Sequence, residues 1–432
     1  MSRTGPAFFV LLAVATALVT EIGTTVAATP ATSRLTFTTW IAYGSGTGAI
    51  SSPAAFCEAN ADGSALDRLS DRIGLLGDPA WTRDGARLAF TIYDPVTHTT
   101  LLQVTAGDRW SPRTVVRGPV GWPAWSPDGR RIAYVSSAAA RPGLYVVNAD
   151  GTGGRLLFAG SAAAPSWSAD GARIAFEADG IRTIGADGTG RVRLTDDGAT
   201  PAWSPDGMTI AFVTEAPGAT AGLTEQELSV ISAGGTGRRQ VSHLVESGAS
   251  PIATVVGRPA WAPDGSMLAV ARTVILRGAK GQQPLSHDAF LVDPGGSGQT
   301  KLLSLDGIGD PAWRPAAALT GADTTRRPCT IRGTGTSRTI RGTAYDDLIV
   351  GGDAGEAILG GAGSDWIHAG GGRDTITGGP GRDEIWTGRG SDTVLVRDGA
   401  RDLVHCGEGG SDIGTADRSD KLLGSCRRVE AR

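Results

Sequence analysis

The sequence predicts an all-β protein, in which a six-bladed β-propeller is followed by a parallel β-roll. Two internal repeats predict this fold. A long repeat fills residues 34–315, and a nine-residue repeat fills residues 333–404. Repeats of these lengths are typical of propeller blades and of stacked solenoid turns. No segment of the long repeat shows helical periodicity.

Each unit of the long repeat carries a tryptophan followed by a tight turn. In the clearest copy, residues 123–129 read Pro-Ala-Trp-Ser-Pro-Asp-Gly, which suits successive turn positions. A short apolar strand follows, and a second Asp-Gly turn comes half a period later, so each unit supplies the four strands of a blade. Because the tryptophans recur in every unit, we interpret them as packing residues. Their number predicts six blades, one for each of Trp81, Trp125, Trp167, Trp203, Trp261 and Trp313.

The two ends of the long repeat are complementary. The sixth unit stops soon after Trp313, whereas residues 34–71 begin in mid-unit with a strand, a turn and another strand. We expect the N-terminal strands to complete the sixth blade and so to remove exposed sheet edges. The repeat resembles the TolB-type (PD40, WD-repeat-like) propeller of secreted and periplasmic proteins. This resemblance implies a fold and leaves function open.

The nine-residue repeat follows a predicted linker, residues 316–332, which has no periodicity. Each unit supplies a six-residue turn and a three-residue strand. Consecutive units alternate between two edges of a flattened helix, so that acidic residues 18 positions apart become neighbours. The large apolar residues that define the interval fill a thin core: Ile340, Ile349, Ile358, Ile367, Ile376, Ile385 and Val394.

An acidic residue stands two positions before most of these apolar residues. One edge is predicted to hold Asp347, Asp365 and Asp383, and the other Glu356, Asp374 and Asp392. Paired carboxylates and turn carbonyls can supply the six to eight oxygens that calcium prefers. The array resembles the haemolysin-type (RTX) calcium-binding repeat family, which implies Ca²⁺ as the ligand. The resemblance assigns the calcium role to five residues: Asp347, Asp365, Asp374, Asp383 and Asp392.

Two units depart from the repeat. Arg338 replaces the first aspartate, and a second unit has Ala354 in place of glycine and Glu356 in place of aspartate, which makes Glu356 a weaker ligand. Three sites remain: 347/365, 365/383 and 374/392. The alternative is that the aspartates only form turns. A glycine-rich, acidic segment with so small a core folds poorly unaided, however, and cation binding supplies folding free energy.

The N-terminus predicts a signal peptide over residues 1–28. Arg3 precedes an apolar run from Ala7 to Val19, and Val26-Ala27-Ala28 forms a cleavage site before Thr29. An uncleaved anchor is the alternative. No later segment is apolar enough to span a bilayer, so we expect a secreted, extracellular protein with no membrane span after cleavage. Because RTX proteins of the type I route usually lack such a signal, the chain favours signal-peptide export, with calcium acting as a folding trigger outside the cell.

The four cysteines agree with an oxidising compartment. Cys406 and Cys426 are predicted to form a disulfide that caps the C-terminal segment, residues 405–432. Closing a loop of this length stabilises a fold by roughly 3 kcal/mol in the chain-entropy model. Cys57 and Cys329 either pair or stay free.

Motifs for catalysis or nucleotide binding are missing from the sequence. There is no Gly-x-Ser-x-Gly elbow, and residues 44–48 lack the Lys-Thr of a phosphate loop. The net charge of −4 does not indicate the basic surface that is typical of nucleic-acid binding. None of the histidines has a metal-type spacing: His98, His243, His287, His368 and His405.

These observations favour a non-enzymatic, calcium-binding protein whose propeller contacts a protein or glycan partner. Three insertions, residues 216–227, 243–258 and 278–288, are either recognition loops or neutral length variation. The alternative function is a secreted hydrolase or lyase with its active site in the propeller funnel. Acidic, His or Tyr side chains converging at one funnel mouth would favour the enzyme, whereas small residues there would favour the binding protein.

Overall fold

The computed structural model contains only strands and turns, as the sequence predicts. It describes residues 33–40, 54–60, 67–69, 76–94, 97–106, 109–217, 224–244, 253–278, 281–305, 310–315, 331–332, 339–407, 412–424 and 426–428. The predicted signal peptide, most of the linker, Cys329 and Arg338 lie outside these ranges. Within them there is no α-helix, and so none of the length and apolarity needed to cross a membrane.

The blade that closes the propeller combines the two ends of the long repeat. β25 (Ala312–Arg314) pairs antiparallel with β1 (Arg34–Trp40), which places Leu35 opposite Trp313. This pairing confirms that the N-terminal strands complete the truncated sixth unit, and it closes the ring with a four-stranded blade. The outer strands of the blade are β2 (Ala54–Asn60) and β3 (Asp67–Arg68).

Three further blades are regular four-stranded antiparallel sheets. From the central channel outward, the first contains β4 (Leu76–Trp81), β5 (Arg87–Asp94), β6 (Thr99–Ala106) and β7 (Arg109–Arg117). The second contains β8 (Val120–Trp125), β9 (Arg131–Ser136), β10 (Gly143–Asn148) and β11 (Arg155–Ala159). The third contains β12 (Ala163–Trp167), β13 (Arg173–Glu177), β14 (Ile181–Gly185) and β15 (Val192–Arg193).

The fourth and fifth blades are joined into one nine-stranded sheet. The fourth contains β16 (Ala199–Trp203), β17 (Thr209–Pro217), β18 (Thr224–Ser232) and β19 (Arg239–Gln240). The fifth contains β21 (Ala260–Trp261), β22 (Leu268–Gly278), β23 (Gly281–Val292) and β24 (Gln299–Leu305). Between them, β20 (Ala253–Val256) pairs parallel with β18 and antiparallel with β22. The middle insertion therefore supplies a bridging strand, and the other two lengthen the β17–β18 and β22–β23 hairpins.

The repeated tryptophans hold neighbouring blades together. The indole Nε1 of Trp125 donates a hydrogen bond to the Ala80 carbonyl of the preceding blade at 3.1 Å, and Trp167 does the same to Ala124. The guanidinium of Arg87 lies 4.7 Å from the ring centroid of Trp125, within cation–π distance. Since one residue type supplies both apolar area and a directed hydrogen bond, its recurrence in every blade is explained by packing.

The C-terminal region is a solenoid of two facing parallel sheets. One sheet contains β26 (Ile331–Arg332), β28 (Leu348–Val350), β30 (Trp366–His368), β33 (Glu384–Trp386), β36 (Leu403–Cys406) and β38 (Lys421–Gly424). The other contains β27 (Thr339–Arg341), β29 (Ala357–Leu359), β32 (Thr375–Thr377), β35 (Thr393–Val396), β37 (Ile413–Ala416) and β39 (Arg427–Arg428). A two-stranded sheet of β31 (Gly371–Gly372) and β34 (Arg389–Gly390) lies in the turns.

The solenoid core consists of aliphatic side chains stacked in register. Ile349 pairs with Ile367, and Ile367 with Ile385, at the expected 18-residue separation, and all three are fully buried. The nine-residue spacing ends near residue 404, but the parallel pairing continues. Ile385 pairs with Val404, and Val404 with Leu422. A disulfide between Cys406 and Cys426 links these last turns.

Cys57 on β2 is also disulfide-bonded, and its partner lies outside the described residues. No cysteine within the described ranges is free.

We predict that Phe37→Ala destabilises the propeller by about 3–5 kcal/mol, the usual loss for truncating a buried phenylalanine. Phe37 is fully buried on the ring-closing strand β1 and packs in one cluster with Trp313 and Met267. Urea unfolding of the full chain measures the effect. Val192→Ala is the control, because Val192 is 44% exposed and its truncation changes stability by no more than about 0.5 kcal/mol. A loss below about 1 kcal/mol for Phe37→Ala would contradict the role of ring closure.

Candidate metal centre

The acidic residues of the solenoid occupy the last turn position before each strand, and they are buried. Asp347, Asp365 and Asp374 have no solvent exposure, and Asp383 and Asp392 are 1% exposed. The strand that follows fixes each of them, because its second residue is the core isoleucine or valine. Sequence spacing thus places every carboxylate at an edge of the solenoid.

Backbone hydrogen bonds arrange these carboxylates into two ladders. Each Oδ1 accepts a hydrogen bond from the N–H of the acidic residue one turn earlier, for example Asp365 Oδ1 from Asp347 at 2.8 Å. The first ladder contains Asp347, Asp365, Asp383, Asp402 and Asp420. The second ladder contains Glu356, Asp374, Asp392 and Asp412. The structure therefore brings together the predicted pairs 347/365, 365/383 and 374/392.

Only one oxygen of the central carboxylates has a partner. The Oδ2 atoms of Asp365, Asp374, Asp383 and Asp392 are buried and make no hydrogen bond. A Cβ built on Gly360 would lie 2.6 Å from Asp365 Oδ2, so that glycine leaves open the space beside the oxygen. Buried anionic oxygens without donors are costly unless a cation meets them. Oxygen ligands of this kind, next to turn carbonyls, fit calcium.

Burial raises the pKa of these carboxyl groups strongly. It raises the pKa of Asp365 to about 8, and the charges of Asp383 and Asp347 add to the effect. The same causes, burial first and neighbouring carboxylates second, raise the pKa of Asp374 and of Asp383 to about 7. The ladder therefore holds its carboxylates in a place where negative charge is disfavoured.

Glu356 takes a regular place in the second ladder although its side chain is longer. Its backbone N–H donates to Asp374 Oδ1 at 2.7 Å, and its Oε2 accepts from the Gly352 N–H at 3.3 Å. Within the described residues, no three acidic, His or Cys side chains form a ready metal cluster. The candidate sites are thus pairs of carboxylates that need turn carbonyls to complete them.

Three ladder residues fall outside the nine-residue repeat: Asp402, Asp412 and Asp420. Asp402 and Asp412 are 1% exposed and Asp420 is 6% exposed, and Asp402 Oδ2 is buried without a partner. The nine-residue spacing does not predict these three residues, because Asp392 and Asp402 are ten residues apart. A surviving signal is the order acidic residue, any residue, aliphatic residue, as in Asp402-Leu403-Val404.

A ring of six blades and a parallel solenoid with acidic ladders define a β protein of two parts. The model of the TolB beta propeller domain family (PD40) matches residues 31–317, about two thirds of the chain. The chain therefore belongs to the TolB β-propeller family. Residues 359–394 match the RTX calcium-binding nonapeptide repeat in four copies.

One solved structure, with a TM-score above 0.5, supports the propeller fold. TolB from Acinetobacter baumannii is similar at 16% identity and a TM-score of 0.51, over 65% of this chain and 66% of that one. A putative TolB from Agrobacterium tumefaciens is similar at 18% identity and a TM-score of 0.46, over 64% of this chain and 91% of that one. A search of curated proteins finds no match to this chain.

We predict that the calcium-free solenoid loses stability as the pH rises from 5 to 8. The folded pKa of Asp365, about 8, exceeds the unfolded value of about 4. The folded state therefore binds more protons across this window, and the free energy of unfolding falls as they are lost. Scanning calorimetry of the calcium-stripped chain at pH 5, 6, 7 and 8 measures the trend.

The propeller transition is the internal reference for this experiment. Hydrogen bonds from Ser126 and Ser204 lower the pKa of the turn residues Asp128 and Asp206 below the usual value. Their stabilisation is present above the unfolded pKa and is lost only as the pH falls below about 4. A solenoid transition that stays constant or rises between pH 5 and 8 would count against the buried ladder.

Proposed function

We propose that this is a secreted calcium-binding protein, in which Ca²⁺ organises the solenoid and the propeller serves as a non-enzymatic binding module. One observation carries the calcium assignment: every described rung of both ladders is acidic. Asparagine would accept the same backbone hydrogen bond without charge repulsion. A carboxylate is needed at each rung only if a cation binds there.

The aspartates that would hold calcium are those of the pairs 347/365, 365/383 and 374/392. Calcium would neutralise facing carboxylates whose second oxygens have no donor in the protein. A ligand that binds only the folded state stabilises it by about 2.7 kcal/mol per site at a hundredfold excess over Kd. For a core of one aliphatic residue per strand, that gain decides whether the turns stay stacked.

Binding is favoured over catalysis in the propeller by the partners of its hydroxyl groups. Ser126 and Ser204 line the central cavity, but each donates to the aspartate two residues on, at 2.5 Å. The described residues that line this cavity include neither His nor Tyr. Two carboxylates, those of Asp78 and Asp310, do line the cavity and are the feature that favours the alternative, a hydrolase or lyase. Since no described His or Tyr joins them there, we favour a protein or glycan partner over a substrate.

We predict that calcium slows backbone hydrogen exchange in residues 339–407 and leaves the propeller blades unchanged. Exchange of the full chain, measured by mass spectrometry in chelator and in millimolar calcium, tests this, with magnesium as the control ion. Magnesium should protect less, because it requires near-octahedral geometry and gives up its water reluctantly. Equal exchange of the solenoid in chelator and in calcium would refute calcium binding.

We predict that Asp365→Asn has opposite effects in the two conditions. In chelator at pH 8 it removes a carboxylate that is buried without a donor at Oδ2, and this raises the melting temperature of the solenoid. In calcium it removes a ligand from two sites and lowers that temperature relative to the unchanged chain. Glu384→Gln is the matched control, because Glu384 also lies in the solenoid but belongs to neither ladder. A shift of the same sign in both conditions would contradict the ligand role of Asp365.

Export is proposed to follow cleavage before Thr29. Expression of the full chain in a secreting bacterial host should then yield extracellular protein whose N-terminal sequence begins at Thr29. Retention of Arg3 and of the apolar run in the exported or membrane-bound product would instead identify an uncleaved anchor.

A further inference from the structure

The residue before the proline of each inner strand is not the same in every blade. These pre-proline residues are Asp78, Trp122, Ala164, Thr200, Arg258 and Asp310. Asp78, Trp122, Ala164 and Thr200 have positive φ angles of 44–51°, and the register of each inner strand shifts at that point. Such angles are uncommon outside glycine and are often kept at functional sites. Four blades thus share the same strained backbone conformation before the proline and differ in the side chain there.

Three of these residues are charged and line the central cavity: Asp78, Arg258 and Asp310, called the channel trio below. The cavity has a volume of about 350 Å³, within the usual range for small-molecule sites. Tryptophan and proline residues such as Trp81 and Pro127 line it further along. Since Asp78 and Trp81 are three residues apart on an extended strand, the charged and apolar parts are separated by roughly 10 Å.

The channel trio is held in place by hydrogen bonds to backbone groups and to the hydroxyl of Thr91. Asp78 Oδ2 accepts hydrogen bonds from Thr91 Oγ1 at 3.0 Å and from the Trp122 N–H at 3.1 Å. Asp310 Oδ1 accepts from the backbone N–H of Arg258 at 2.8 Å. Arg258 Nη2 donates to the carbonyl of Pro165, on the third blade, at 2.6 Å.

Each member of the trio keeps groups without a protein partner. Among the described residues, these are all the hydrogen bonds of the three side chains, and Arg258 is also attracted by the charges of Asp310 and Asp78 without a direct ion pair. The guanidinium of Arg258 retains the Nε hydrogen, both Nη1 hydrogens and the second Nη2 hydrogen as donors, so that Nη1 and Nη2 can still form a fork. The second oxygens of Asp78 and Asp310 remain as acceptors. One cavity therefore presents a cationic donor and two anionic acceptors whose side chains attract one another but form no hydrogen bond to one another.

The fold does not need charge at the pre-proline position that Asp78 occupies. Ala164 and Thr200 occupy the same place in two other blades and adopt the same backbone conformation as Asp78. Burial, together with the charge of Asp78, raises the pKa of Asp310 to about 6, and burial lowers the pKa of Arg258. Charged groups kept where they are disfavoured, and where neutral ones would serve the fold, indicate binding.

We propose that the central channel binds a small zwitterion, an α-amino acid or a short peptide, through the channel trio. The ligand carboxylate would meet the free donors of Arg258, the residue best suited to bidentate carboxylate recognition. The ammonium group would meet Asp78 and Asp310. The apolar side chain would extend towards the tryptophan and proline walls. Arg83 also lines the cavity, so that the lining carries two carboxylates and two guanidinium groups, a charge balance that suits a ligand carrying both charges.

Saturation-transfer NMR of the full chain with a panel of apolar L-dipeptides tests this proposal. Signal from the dipeptides is expected, and N-acetylated dipeptide amides, which lack both charges, should give none. Arg258→Met should weaken binding at least tenfold, whereas Arg141→Met, a change to an exposed arginine outside the cavity, should leave it unaltered. Circular dichroism checks that each variant folds.

Asp78→Asn is the second variant, and it decides the matter if Arg258→Met fails to fold. Asparagine tolerates the positive φ of position 78, so the loss of a charge is separated from backbone strain. Dipeptide binding that Asp78→Asn weakens at least tenfold supports the proposal. It is overturned if no dipeptide binds, if the blocked dipeptides bind equally, if glucuronate binds and the dipeptides do not, or if binding is unchanged in the folded variants.

Discussion

The pairing of β1 with β25 is the contact on which the propeller depends. Every other blade is built from strands that follow one another along the chain, whereas this pairing joins residues nearly 280 positions apart. It is made by backbone hydrogen bonds and by burial of Leu35 and Phe37 against Trp313. Without it the first and last blades would each present an edge to solvent. The central channel exists only because this blade closes the ring.

The solenoid depends on a different constraint, which is that carboxylates must be buried for its turns to stack. The hydrogen bond from Asp347 N–H to Asp365 Oδ1 satisfies a backbone donor that the turn would otherwise leave unpaired. The same bond brings a charge beside the charges of its neighbours. The ladder thus satisfies backbone donors and at the same time places like charges close together, which is unfavourable. A divalent cation removes this repulsion and leaves the hydrogen bonds intact, which couples folding to ligand binding.

Periodicity predicts most of this structure, because both parts are made of repeats whose contacts recur at fixed sequence intervals. The 18-residue pairing of Ile349 with Ile367 follows directly from the nine-residue spacing. Asp402 and Asp420 could not be found in this way, since a longer turn breaks the spacing while the Asp383–Asp402 hydrogen bond survives. The repeat pattern does not predict the channel trio either. Sequence shows that the pre-proline position varies, but only the closed ring shows that Asp78, Arg258 and Asp310 line one cavity.

The bridging strand β20 makes one interface between blades harder to open than the others. Elsewhere adjacent blades meet through side chains such as the tryptophans, but β20 carries hydrogen bonding from the fourth blade into the fifth. Side-chain contacts can slip or part locally at lower free energy than a continuous hydrogen-bonded sheet. The six repeats therefore form five separable bodies, one of them twice the size of the others. We expect local opening of the ring at the other five interfaces between blades, whereas the joined fourth and fifth blades move as one unit.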